Sequence, residues 1–266
     1  EGQFPKRPEH DQLLNEWALV LYEAERYADA DALFRRITNE HPESAVADNA
    51  QFSLAESDLV NGKVQFARTS FAALVANEKS DATVREDSLF RIIGIDADAG
   101  KWNDVLASAD QFAKQFPTSD YSPEVQFYHG NGQVNLGEFE AAEKTLAQLA
   151  DRVAEPAIGQ SEWIGHLWAL LAECQVRQKK YDAVMATAAK ARDWKVDSPT
   201  YYMLDEVVGR AWKSQAKFTE ATAAFTRVIE SEAGSRTETA AKAQLMIAEI
   251  HFLQQKYPEA RDGYLK

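Results

Sequence analysis

The stretch GEFEAAEKTLAQL, Gly137–Leu149, decides how the rest of the chain is read. Phe139, Ala142 and Leu146 fall at i, i+3 and i+7, one stripe of an amphipathic helix, and a glycine stands just ahead of it. Slid along the chain, the pattern recurs in RYADADALFRRI, KVQFARTSFAAL, KWNDVLASADQF, KYDAVMATAAKA, KFTEATAAFTRV and KYPEARDGYLK. The anchors are Tyr27, Val64, Trp102, Phe139, Tyr181, Phe218 and Tyr257, spaced by 37, 38, 37, 42, 37 and 39 residues. Three residues after each come Ala30, Ala67, Val105, Ala142, Val184, Ala221 and Ala260. Four further on stand Phe34, Phe71, Ala109, Leu146, Ala188, Phe225 and Tyr264. A near-constant period held through seven units defines a repeat protein.

Each unit carries a preceding helix and its punctuation. In AVADNAQFSLAESDLV, Ala47, Ala50, Leu54 and Ala55 make one apolar stripe. Gly62, Gly100 and Gly137 sit where a first helix must end and turn, the left-handed position that glycine takes without a Cβ penalty. Pro42 and Pro117 follow the second helices and stop them. Ser122-Pro123 and Ser198-Pro199 read as an N-cap with proline at the first helical position. Alternating Val/Ile/Thr runs between turns, the mark of strands, are few. The 42-residue spacing places extra residues around DRVAEPAIGQSEW, predicting a longer loop at Pro156 to Gln160 and a bend near 151–162.

Bulk properties narrow the function. Apolar residues make up 45% and aromatics 11% of the 266, enough to build a core. The formal net charge of -13 speaks against non-specific nucleic-acid binding and against docking on an anionic membrane surface. A basic protein partner would be favoured, although an acidic surface also simply aids solubility. No apolar run approaches the roughly 18 residues that span a bilayer. The single cysteine, Cys174, allows no internal disulfide and reads as a small core residue. The chain opens at EGQFPKRPEH and breaks off within the pattern at DGYLK, so it reads as a mature or trimmed piece.

Catalytic signatures are lacking. Of His10, His41, His129, His166 and His251, none forms HExxH or has a second His or Cys at metal-ligand spacing, so no metal is expected. The glycines of HGNGQVNLG, Gly130 and Gly132, lie inside a helical unit without the strand that a phosphate loop requires. No GxSxG or P-loop occurs, and the reading is of a non-enzyme with no cofactor. Trp163 and Trp168 read as core with one ring near the groove.

With these residues in view, the chain resembles the tetratricopeptide repeat family. The family's small residue at the first contact of the second helix matches Ala30, Ala67, Ala142, Ala221 and Ala260, and its following aromatic matches Phe34, Phe71, Phe225 and Tyr264. The period exceeds the usual 34 residues or so, and the family's first-helix Trp/Gly/Tyr signature is mostly missing. The resemblance implies an all-α, right-handed superhelical solenoid of about seven hairpins over 13–266, preceded by an extension over 1–12 and ending in an incomplete repeat. The long units are similar to bacterial envelope and periplasmic members, of outer-membrane assembly and Tol–Pal coordinator type, with a cytoplasmic setting as the alternative. First helices of such arrays line a concave groove that takes a peptide or protein segment. The family's groove-facing positions fall here on Asn15, Tyr22, Glu56, Arg91, Tyr128, Asn131, Asn135, Glu173, Arg177, Arg210, Lys213 and Glu249. Arg177, Arg210 and Lys213 would form a basic strip able to receive an acidic segment. The implied function is a non-catalytic protein–protein interaction scaffold. A rigid subunit of a larger assembly, or the recruitment domain of a longer protein, are the alternatives.

Overall fold

The computed structural model of the protein describes residues 10–195 and 198–265. Most of the expected N-terminal extension lies outside the described residues, and the chain is already helical at His10, ahead of Leu13. The chain divides into two compact units, Glu1–Ser122 and Pro123–Lys266.

The first unit holds three antiparallel hairpins: α1 (His10–Glu23) with α2 (Tyr27–Glu40), α3 (Ala47–Val60) with α4 (Val64–Ala76), and α5 (Ala82–Asp98) with α6 (Trp102–Gln115). The second holds four: α7 (Ser122–Asn135) with α8 (Phe139–Ala150), α10 (Ile164–Arg177) with α11 (Tyr181–Trp194), α12 (Tyr201–Ser214) with α13 (Phe218–Glu230), and α14 (Glu238–Leu253) with α15 (Tyr257–Tyr264). A single turn, α9 (Pro156–Gly159), lies between α8 and α10. Among the described residues there is no strand.

Every anchor read from the sequence is the first residue of a second helix. The residues three further on are buried in all seven hairpins, at 0% exposure except Ala260 at 2%. The turn that delivers each anchor has one geometry. At all seven, the residue two before the anchor has positive φ, and two backbone bonds close a Schellman motif, for example Gly137 N–H to Val134 O (3.0 Å) and Glu138 N–H to Gln133 O (2.8 Å). Gly62, Gly100 and Gly137 supply three of these left-handed positions. Glu25, Lys179, Ala216 and Gln255 occupy the other four, at the cost of a Cβ in the left-handed region.

Two local expectations change. Ser198 is not an N-cap: α12 starts at Tyr201, and Ser198 Oγ bonds Thr200 Oγ1 at 2.9 Å in the turn before it. Thr200 lies so close over Gly165 of α10 that a Cβ there would collide with it, and the helix starts only after this crossing. Pro123 does fall in the first turn of α7, but Ser122 is already helical. The side-chain caps are instead Asp81, accepting from Thr83 N–H at 2.8 Å, and Thr237, accepting from Ala240 N–H at 3.4 Å.

The expected long loop folds back on its own unit. Ile158 of α9 is fully buried in a cluster with Phe127, Leu146, Leu149 and Trp168, and Trp163 stacks on Phe127 with ring centres 4.9 Å apart. The extra residues thus add apolar burial to the second unit, at about 25 cal/mol per Å² of apolar surface removed from water.

Candidate functional site

The first helices carry the groove candidates, and helix-to-helix packing brings several together. In the second unit α12 lies against both α10 and α14, each the first helix of its hairpin. Glu173 of α10 accepts from Arg177 Nε at 2.8 Å, one turn along the same helix, and also from Arg210 of α12. Arg210 Nε donates at 2.7 Å to Glu206. Lys213, one turn further, pairs with Glu249 of α14. In the first unit the same kind of link joins Arg91 of α5 to Glu56 of α3 at 2.9 Å.

The basic strip is therefore not a strip of free charge. Arg177, Arg210 and Lys213 are matched by Glu173, Glu206 and Glu249, because carboxylates recur on the same helix face. The pairs act unequally on their carboxylates. Burial pushes Glu173 up, but Arg210 and Arg177 outweigh it and leave the group below the usual range. Glu56 is raised, because burial outweighs its one cation, Arg91, and Asp87 adds repulsion.

Other candidates serve different ends. Asn135 Nδ2 donates at 2.9 Å to both the backbone carbonyl and the Oδ1 of Asn131, so the two amides form one unit at the end of α7. Tyr22 packs edge-on against Tyr27 within the first hairpin, and the Tyr128 ring meets Phe127 at a tilt. Asn15 is half-buried on α1. The Arg177 guanidinium lies 5.2 Å from the centre of the Phe139 ring and keeps 58% of its side chain exposed, the most open cation of its cluster.

Polar links of a second kind escape the sequence reading. Gln133 accepts from Thr145 and Gln175 from Thr187, both at 2.9 Å, at the same two repeat positions of successive hairpins. Asp96 of α5, fully buried, accepts from Arg68 Nε at 2.7 Å and Nη2 at 2.6 Å, joining α4 to α5. Asp205 of α12 gathers Arg192 Nη2 at 2.5 Å and Arg227 Nη2 at 2.6 Å from the helices on either side. Extending the alignment six residues to each side of the anchors would have exposed the Gln–Thr pairs and shown Asp96 at the same position as Gln133 and Gln175; Asp205, thirteen before its anchor, has no counterpart.

The residues of possible chemistry mostly resolve into packing. Cys174 is fully buried, and burial pushes its thiol up to about 12. Gly130 is closed against Leu146, so HGNG is a helix crossing rather than a phosphate loop. Trp168 is fully buried. One grouping lies beyond the reach of sequence spacing: His10, Glu40 and His41 place potential ligand atoms within 4.8 Å of one another, although His10 and His41 lie far apart in sequence. Among the described residues no helix is long and apolar enough to cross a membrane.

An all-α array of hairpins with a repeating left-handed turn and small residues at each crossing defines a helical-repeat protein of solenoid type. Comparison sharpens the class: the model described as "Tetratricopeptide repeat-like domain" matches residues 90–247, and that described as "Tetratricopeptide repeat" matches 16–44. The chain belongs to the tetratricopeptide repeat family. A tetratricopeptide repeat protein from Parabacteroides merdae ATCC 43184 is similar over 96% of this chain and 90% of its own, at 14% identity and a TM-score of 0.60. The apo form of RapI matches over 96% of this chain and 72% of its own, at 12% identity and a TM-score of 0.63. PilW, described as a widely conserved type IV pilus biogenesis factor, matches over 89% of this chain and 99% of its own, at 12% identity and a TM-score of 0.56. At these identities the likeness speaks for the fold. None of the curated proteins searched matches the chain.

Proposed function

We propose that the protein is a non-catalytic scaffold that holds an extended segment of a partner protein along the first helices of its second unit. The observation that carries this reading is the row of cross-helix ion pairs, Glu173–Arg210 and Lys213–Glu249. These pairs hold α10, α12 and α14 side by side while the exposed Arg177 and the Asn131–Asn135 amide pair remain on first helices of the same unit. Amides suit an extended backbone, which presents a donor and an acceptor at each residue. The Arg177 fork suits a carboxylate of the ligand. Because all three cations are paired and Arg177 differs only in sharing Glu173 and in its exposure, the ligand would be read by hydrogen bonds with one acidic contact at the outer edge of Arg177 rather than by a broad electrostatic field. The long repeat units, similar to those of bacterial envelope members of the family, favour an envelope setting.

Photo-crosslinking in the native cell tests it. A photoreactive residue at Asn131 or Arg177 yields a partner adduct, and the same residue at Lys144 on α8 or Glu220 on α13 does not. Adducts confined to the second-helix positions would overturn groove binding.

A rigid subunit within a larger assembly is the second reading. It is favoured by Leu13, Trp17 and Val20, which lie on one stripe of α1 and are 63%, 48% and 61% exposed.

A further inference from the structure

The start of α1 and the end of α2 bring together two imidazoles and a carboxylate that no function described above employs. His10 is the first residue of α1, Glu40 the last of α2, and His41 caps α2 with its backbone N–H on Ile37 O at 2.9 Å. His10 Nδ1 and His41 Nε2 stand 3.2 Å apart. In a tetrahedral zinc site, with metal–nitrogen bonds of about 2.0–2.1 Å, neighbouring ligand atoms are separated by roughly 3.3 Å. The two nitrogens are thus already at ligand spacing, and the Glu40 carboxylate lies within 4.8 Å of both. This is the one such group of three among the described residues.

We infer that His10, Glu40 and His41 form a binding site for a divalent transition-metal ion of the zinc class, which ties the start of α1 to the end of α2. Neutral imidazole and carboxylate are the ligand types that suit this ion. Three protein ligands leave the fourth position to water. The frame is held in advance by neighbours that are not ligands. Ser44 Oγ donates to Asp11 Oδ2 across the same gap, and Ser44 N–H bonds His41 O at 3.0 Å, fixing the backbone on which His41 sits. Glu40 must turn towards the imidazoles. Its present ion pair, with Arg36 Nε at 3.2 Å, is solvent-exposed, and exposed pairs of this kind hold a carboxylate only weakly.

A direct hydrogen bond between the imidazoles uses the same atoms, and metal titration separates the two. The full chain, stripped with chelator, is titrated with zinc chloride by calorimetry and with Co²⁺ in the visible spectrum. The expected result is one tight equivalent of Zn²⁺, a Co²⁺ spectrum of low-symmetry coordination, and a rise in Tm on adding zinc. His10→Ala and His41→Ala each weaken zinc binding by about 100-fold or more and abolish the rise in Tm. Glu40→Gln weakens it about tenfold. Circular dichroism checks folding; should an alanine variant lose helix, His10→Gln carries the same comparison. Zinc binding that is absent in the wild type, or unchanged in the His10→Ala/His41→Ala double variant, overturns the site. Unchanged binding in Glu40→Gln overturns the three-ligand form of it.

Discussion

Gly209 sits under the ring of Phe225, so closely that a Cβ on it would lie 2.5 Å from Phe225 Cε1. The same two repeat positions, nine before the anchor and seven after it, pair Gly130 with Leu146, where an added Cβ would come 2.6 Å from Leu146 Cδ2. Ala18 and Phe34, and Ala55 and Phe71, occupy these positions in the first two hairpins, a small residue opposite a large one. In the third the sizes are exchanged, with Ile93 and Ala109, and both are buried. In these five hairpins a small residue faces a larger one, as close packing of a core requires; the fifth hairpin of the chain is an exception, with Ala172 opposite Ala188.

Gly209→Ala is accordingly expected to cost about 1–3 kcal/mol by overpacking. Adding Phe225→Leu should recover part of that loss, so that the double variant in urea denaturation is more stable than the two single effects predict. Strict additivity would show that the crossing is not limited by this contact.

The shared turn geometry gives a prediction of opposite signs at equivalent positions. Gly137 (φ 80) and Ala216 (φ 56) fill the same left-handed site. Gly137→Ala should lower stability by about 1 kcal/mol, and Ala216→Gly should raise it or leave it level, because the relieved left-handed strain of roughly 1–2 kcal/mol is offset by glycine's greater freedom when unfolded. Thermal unfolding of the two variants provides the comparison. A loss for Ala216→Gly as large as that for Gly137→Ala would contradict the reading.

The helical hairpins were legible because the anchor, its small partner three residues on and the residue at seven are apolar contacts with a fixed local period. All seven anchors open a helix. The left-handed turn was visible only where glycine marked it. Lys179 or Gln255 carries no such signature, since the Schellman bonds are made by backbone atoms. The groove candidates follow from the family resemblance set in phase with the repeat, and their ion pairing is not visible there. Arg210 looks basic in sequence and is neutralised by Glu173 from another helix, 37 residues away. Long-range polar contacts such as Arg68–Asp96 or His10–His41 depend on rotamers and on helix crossings that no period encodes.

Asp96 is fully buried and holds the Arg68 fork between α4 and α5, with Lys101 3.9 Å away. Asp96→Ala leaves Arg68 without its carboxylate. Breaking a wholly buried pair costs about 3–5 kcal/mol, and the partial exposure of Arg68 brings the expected loss to about 2 kcal/mol. Replacing both, as Arg68→Met with Asp96→Leu, should cost less than Asp96→Ala alone. Chemical denaturation decides it: a double variant weaker than the single would mean the pair adds net stability beyond avoiding an unpaired charge.

Glu56 and Glu173 should respond to acid in opposite directions, although both face an arginine from a neighbouring first helix. The folded state holds Glu173 below its ordinary value, through Arg210 and Arg177 working against burial. Its contribution is present above the unfolded glutamate pKa of about 4.3 and is lost as pH falls through the lower folded value. Glu56 is raised by burial, so its contribution is complete below about 4.3 and is lost as pH rises through its folded value. Hydrogen exchange reads the two places separately, and Gln variants remove the background of other carboxylates. Relative to wild type, Glu56→Gln should protect α3 and α5 more at pH 7 than at pH 4. Glu173→Gln should weaken α10 and α12 at pH 7, with the difference shrinking only below about pH 4. Parallel pH responses at the two glutamates would show that burial and ion pairing do not divide between them as the geometry requires.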